Sequence, residues 1–161
     1  MRAVHTIGFL LLLVICSAQP ARAQQSGAVE WLTFEQLEDS LAVKPKKVFI
    51  DFYTDWCTYC RKMDRKVFTK PEVIDLLNSE YYAVKMDAES SDTIHFDGQP
   101  FVNDQLTKSR NPVHQMAQLL ALRDGTFVPP VMVLIDEKFR VTQRYFEYMD
   151  SKRLLKALQQ P

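Results

Sequence analysis

The chain reads as an α/β domain: a central mixed β-sheet flanked by helices, with an insert in its second half. Three observations predict this. Val48-Phe49-Ile50-Asp51-Phe52-Tyr53 is a β-rich run with almost no alternation, the pattern of a central strand covered on both faces. Other β-rich runs are separated from it by stretches of helical spacing, which implies parallel pairing. The last two strands follow one another directly and read as a hairpin. A length of 161 residues fits one domain.

Each element has its own signal. Thr33 and Gln36 form a capping box, Leu32 and Leu37 stand as its hydrophobic staple, and Phe34, Leu37 and Leu41 continue a helix over 33–42. Pro45 closes that region before the strand 48–53. A second helix opens at Cys57, with Cys60, Met63 and Val67 on one face. Thr69 and Glu72 suggest another capping box, followed by Val73, Ile74 and Leu77. Residues 81–87 form a strand. Residues 88–111 are polar and irregular, the insert, with a small hairpin expected from 93–96 and 101–103 around Asp97-Gly98. Asn111-Pro112 begins a helix carrying Val113, Met116, Ala117 and Leu120. Residues 131–135 and 139–148 are strands, and Asp150 caps a last helix with Leu154, Leu155 and Leu158.

Composition excludes several functions. Lys plus Arg and Asp plus Glu both number 20, so there is no basic excess to hold nucleic acid or acidic lipid. Four glycines leave no Gly-rich phosphate loop. No run reaches the roughly 18 apolar residues of a membrane span.

Residues 1–23 carry the three regions of a secretory signal peptide: Arg2, the apolar run 7–16 and Ala21-Arg22-Ala23. Ile15 stands before Cys16 where a lipobox needs a small residue, so lipid anchoring is not expected. The expected mature chain, 24–161, is therefore periplasmic or secreted, with no stable span. It keeps two cysteines, Cys57 and Cys60. A pair in an oxidising compartment points to a disulfide. A loop with two residues between its cysteines constrains little of the unfolded chain, so this pair needs another purpose.

Chemistry supplies one. Trp56-Cys57-Thr58-Tyr59-Cys60 follows a buried strand and opens a helix. The first cysteine meets the unpaired N–H groups and dipole of the helix start, which favour a thiolate. Cys57 is the expected exposed nucleophile, and Cys60, one turn on, the buried resolving thiol.

The run VFIDFYTDWCTYCRKM resembles the active-site segment of the thioredoxin superfamily, and is similar to that of secreted members such as the C-terminal domain of thiol:disulfide interchange proteins. The likeness extends over residues 31–160, strongly at 51–60 and by element order elsewhere. It implies a thioredoxin fold, thiol–disulfide exchange with protein substrates, and no cofactor beyond the Cys57–Cys60 disulfide. Asp51 matches the family's buried acid that exchanges a proton with the resolving cysteine, and Lys85 the lysine near that acid. Pro130 matches the cis-proline beside the cysteines, so the insert precedes the helix before the cis-proline strand. Trp56, Thr58, Tyr59, Pro129 and Pro130 are the implied substrate-binding surface. Two departures stand out. Pro129 has no N–H where the family donates one to substrate, and bulky residues 144–148 replace a glycine.

Alternatives remain at this level. Zinc needs two further ligands, and the mature chain offers only His95 and His114. A copper module could use both cysteines with His114 or Met116, although the cysteine spacing is one residue short of the copper-carrier motif. No metal is expected. The insert could select partners. Thr58-Tyr59 places no cation between the cysteines. That leans toward a reductase, or a relay fed by a membrane electron donor, over an oxidase or isomerase.

Overall fold

The structure, a computed structural model, describes residues 27–160. The signal-peptide expectation falls outside the described residues. The elements are β1 (Trp31–Leu32), α1 (Phe34–Val43), β2 (Lys47–Tyr53), α2 (Thr58–Lys66), α3 (Pro71–Glu80), β3 (Tyr81–Asp87), β4 (Ile94–Phe96), β5 (Gln99–Phe101), α4 (Gln115–Leu120), β6 (Val131–Ile135), β7 (Val141–Tyr145) and α5 (Ser151–Leu158). The main sheet runs β1-β3-β2-β6-β7, with β4 and β5 as a separate hairpin. β1, β3 and β2 are parallel; β6 lies antiparallel to β2, and β7 antiparallel to β6.

β2 sits in the middle, which explains its unbroken apolar pattern. Its side chains alternate between two cores. Val48, Ile50 and Phe52 join Leu37, Met116, Val131 and Val133 under α1 and α4. Phe49 joins Met63, Val67, Leu77, Leu154 and Leu158 under α2, α3 and α5. Asp51 shares the Phe49 side by this alternation, so a carboxylate is carried onto the α2 face. No helix among the described residues is long and apolar enough to cross a membrane.

Several local expectations need correction. The Thr33–Gln36 box forms, but the Thr69–Glu72 box does not. Lys70 precedes the helix and Pro71 takes its first turn, where a missing N–H costs nothing. The Thr69 hydroxyl donates instead to the Arg65 carbonyl in the preceding turn. The hairpin's second strand starts at Gln99, directly after Asp97-Gly98, because both residues take positive φ and close a two-residue turn. α4 starts at Gln115 rather than at Pro112, since the His114 ring caps it by accepting the Met116 N–H. The last strand is shortened to Val141–Tyr145. Phe139 turns at φ 59°, and the Asp136 carboxylate gathers the N–H groups of Lys138 and Arg140 into a tight turn. β1 was not legible at all; its two residues are held by pairing with Ala83 and Val84.

Candidate active site

The segment 54–60 leaves the end of β2 and turns into α2. The Cys57 N–H donates to the Thr54 carbonyl, closing that turn. Cys57 then caps α2 with its sulfur, which accepts the Cys60 N–H at 3.0 Å. Sulfur thus replaces the usual capping oxygen, on the residue that a helix start would hold as thiolate. Cys57 and Cys60 are joined by a disulfide. Both are buried, at 4% and 3% exposure, so Cys57 is not the exposed member expected. In the disulfide its sulfur is bonded to Cys60 and turned back onto the helix.

Beneath α2 lies a cluster of charge. Asp51 and Lys85 are register partners on β2 and β3, and the Lys85 ammonium lies 3.5 Å from Asp51 Oδ2. Lys85 also donates to Asp64, four residues after Cys60 on α2. The rings of Trp31, Tyr53 and Phe68 surround the same ammonium at 5.1–5.5 Å. Asp51 is 2% exposed, and its Oδ1 has no hydrogen-bond partner. Burial pushes its carboxyl up to about 6, against the lowering pull of Lys85. The structure places Lys85 beside Asp51, as the resemblance implies. Asp64 was missed. Its i+4 relation to Cys60 was visible, but its pairing required the register of β3.

Around the disulfide the rim is aromatic. Trp56 is 55% and Tyr59 59% exposed. The Trp56 indole donates to Glu89 at 3.0 Å, and Tyr59 packs against Tyr148 with ring centres 5.9 Å apart. Tyr148, one of the bulky residues that stand where the family has a glycine, thus packs onto the rim. The Arg61 guanidinium folds back to the Asp55 carbonyl and to the Thr58 hydroxyl. Thr58-Tyr59 places no cation between the cysteines, but Arg61, directly after Cys60, supplies one beside them.

The Pro129–Pro130 peptide is cis. Pro130 precedes β6, whose first residue pairs with Phe52 near the end of β2, so it stands at the cysteine end of the sheet. Trp56, Glu89, Gln105, Val113 and Phe127 line one cavity of about 390 Å³, which joins the active-site rim to the insert and to the loop before Pro129. His114 and Met116 are buried in packing roles, and His95 lies on the hairpin. Among the described residues no group of three or more His, Cys, Asp or Glu is arranged to hold a metal ion.

Known proteins fit this geometry. A family model described as a thioredoxin-like domain matches residues 34–160. The chain is 39% identical over 46 residues to the thiol:disulfide interchange protein DsbD of Salmonella typhi, a stretch covering 28% of this chain and 8% of that protein. It is 50% identical over 30 residues to a second such protein from Pseudomonas aeruginosa, over 19% of this chain and 5% of that one. The chain therefore spans only a small part of these relatives. Among solved structures, a DsbH oxidoreductase superposes with a TM-score of 0.57 at 16% identity, over 88% of this chain and 90% of that one. A thioredoxin from Thermus thermophilus gives 0.56 at 19%, over 82% and 85%. The reduced C-terminal domain of DsbD from Neisseria meningitidis gives 0.52 at 16%, over 78% and 90%. These structural likenesses show the fold. With the family match over residues 34–160 they establish that the chain belongs to the thioredoxin-like family.

Proposed function

We propose that this thioredoxin-like protein is a thiol:disulfide oxidoreductase that works outside the cytoplasm in the reducing direction, as a reductase or electron relay for protein disulfides. The observation that carries the proposal is the Cys57–Cys60 disulfide seated on the start of α2, on the sheet face that also buries Asp51. The extracytoplasmic setting rests on the signal-peptide pattern of residues 1–23.

In the reduced protein the Cys57 thiolate is the attacking group, favoured by the Cys60 N–H and the helix dipole. It attacks one sulfur of a substrate disulfide. A Cys57–substrate bond forms, the substrate S–S bond breaks, and the second substrate sulfur leaves as a thiolate that takes a proton from water. Cys60 gives its proton to the Asp51 carboxylate and attacks Cys57. The mixed disulfide breaks, and the first substrate sulfur leaves and is protonated. Two electrons have passed to the substrate, and the Cys57–Cys60 disulfide has re-formed. Asp51 at about 6 is mostly ionised at neutral pH, yet close enough to it to take and return a proton. Lys85 and Asp64 act as positioning residues, holding that carboxylate's surroundings. Trp56, Thr58, Tyr59, Pro129 and Pro130 form the surface that meets substrate. Repeated turnover needs a dithiol donor, and a membrane electron donor is the partner this reading calls for.

Arg61 favours a second reading. Its guanidinium lies against residues on both sides of Cys57, and a stabilised thiolate makes the disulfide more oxidising, as in an oxidase or isomerase. Equilibration with a redox buffer separates the two: a potential of roughly −270 mV or lower fits a reductase, and one near roughly −120 mV an oxidase. The test of the chemistry itself is trapping. Cys60→Ser should accumulate reducible protein adducts identifiable by mass spectrometry, while Cys57→Ser should yield few. Equal, weak patterns from both variants would remove the proposal's support.

A further inference from the structure

The exposed face of α2 is cationic. Arg61, Lys62, Arg65 and Lys66 are all exposed, and Lys70 follows one turn later. The one acid of the helix, Asp64, is turned onto Lys85. The whole chain has equal numbers of acids and bases, so this is a local concentration. No ion pair among the described residues involves Arg61, Lys62, Arg65 or Lys66. Arg61 is held by a carbonyl and a hydroxyl, and the Lys62 ammonium lies 4.5 Å over the Tyr148 ring. All three partners are neutral and leave the positive charge uncompensated.

Helix stability explains only half of this pattern. Arg65 and Lys66, in the last turn, gain from the dipole. Arg61 and Lys62 lie near the start, where that gain is absent. The start is also where the disulfide sits, since Thr58 follows Cys57 directly. With a rise of about 1.5 Å per residue, all four cations lie within about 14 Å of Cys57 along the helix axis. Glu89, which accepts the Trp56 indole N–H, is the acid on the rim beside the cysteines.

We infer that the α2 face is a docking surface for protein substrates whose disulfide is flanked by acidic residues. This inference rests on the oxidoreductase reading above. A charged cleft edge raises the encounter rate with an oppositely charged partner and orients it, and salt weakens the effect. A protein occupant fits better than an anionic membrane, because the face continues into the reacting disulfide between the exposed rings of Trp56 and Tyr59.

The test uses the reduced protein and three oxidised probes: hydroxyethyl disulfide, and two disulfide-bridged peptides of equal length with Glu or Lys beside each cysteine. Second-order rates are measured at low and high salt. The Glu peptide should react about 10-fold faster than the Lys peptide at low salt, and the ratio should shrink at high salt. The variant Lys62→Gln/Arg65→Gln/Lys66→Gln should lose this preference and keep its rate with hydroxyethyl disulfide, which also verifies its fold. Reaction with all probes but no charge preference would overturn the inference alone. No reaction with any probe would overturn the oxidoreductase reading and the inference with it. Sedimentation with phosphatidylglycerol vesicles that the variant abolishes, together with equal peptide rates, would assign the face to a membrane instead.

Discussion

Two stretches of the molecule bury polar side chains, and they treat them differently. In the insert, residues 88–111, and the helix start that follows it, every such group is matched. The Asn103 amide donates to the carbonyls of Ser90 and Pro112, and its oxygen accepts the Gln105 N–H. The fully buried His114 ring accepts the Met116 N–H through Nδ1, and its Nε2 meets the Asp92 carbonyl at 3.1 Å. In the segment leading to the cysteines, Asp51 Oδ1 and Thr54 Oγ1 are buried without a partner. Leaving a buried polar atom unmatched costs about 1–3 kcal/mol. The insert uses polar groups as structure. The cysteine segment keeps them at a cost, which points to a role in the chemistry.

The largest expected contrast is between Cys57→Ser and His114→Ala. The first should reduce disulfide-reducing turnover to background. The second should leave turnover per folded molecule unchanged, while costing about 2–4 kcal/mol in denaturant unfolding, through two orphaned partners and a cavity. If His114→Ala instead lowered turnover of the folded protein, the division between the two stretches would fail.

Next comes pH, where the buried carboxyl of Asp51 and the buried ring of His114 act with opposite sign. Asp51 is raised from 3.8 to about 6. The folded state therefore holds its proton more tightly than the unfolded state. Stability is highest below about 4 and falls as pH rises toward about 6, by roughly 3 kcal/mol at most. His114 is lowered from 6.5 by burial, so its contribution is present above that value and is lost as pH falls below it. Unfolding titrations of Asp51→Asn and His114→Gln should each remove one of these slopes. The smallest effect is expected at Thr54→Val. Exchanging an unmatched hydroxyl for a methyl should be neutral or stabilising by up to about 1 kcal/mol, as thermal unfolding would record.

The same division governs what the sequence made legible. The central strand and the cysteine helix were readable because each rests on a local pattern, an unbroken apolar run and a motif at a helix start, while the cis-proline position followed from the family resemblance at Pro130. Asp51 was readable because a carboxylate in such a strand is anomalous. Asp64, Glu89 and Thr54 were not, because their situations depend on β3 register, on an indole reaching the insert, and on burial at the end of a strand. In the insert and just after it, the boundaries at Gln99 and Gln115 were set by a tight turn and a histidine cap. Neither leaves a strong periodic signal. The Thr69 box failed because Pro71 decided the helix start one residue later.

The claim that the cysteine segment keeps its unmatched carboxylate for proton transfer is tested most directly at the resolving step. A mixed disulfide is formed on Cys57 with a chromophoric thiol, and its release by Cys60 is followed by stopped flow in wild type and in Asp51→Asn. The account expects release to slow on the order of 10- to 100-fold in the variant, with unfolding stability at neutral pH equal or higher. An unchanged release rate, or a loss of stability comparable to that of His114→Ala, would contradict it.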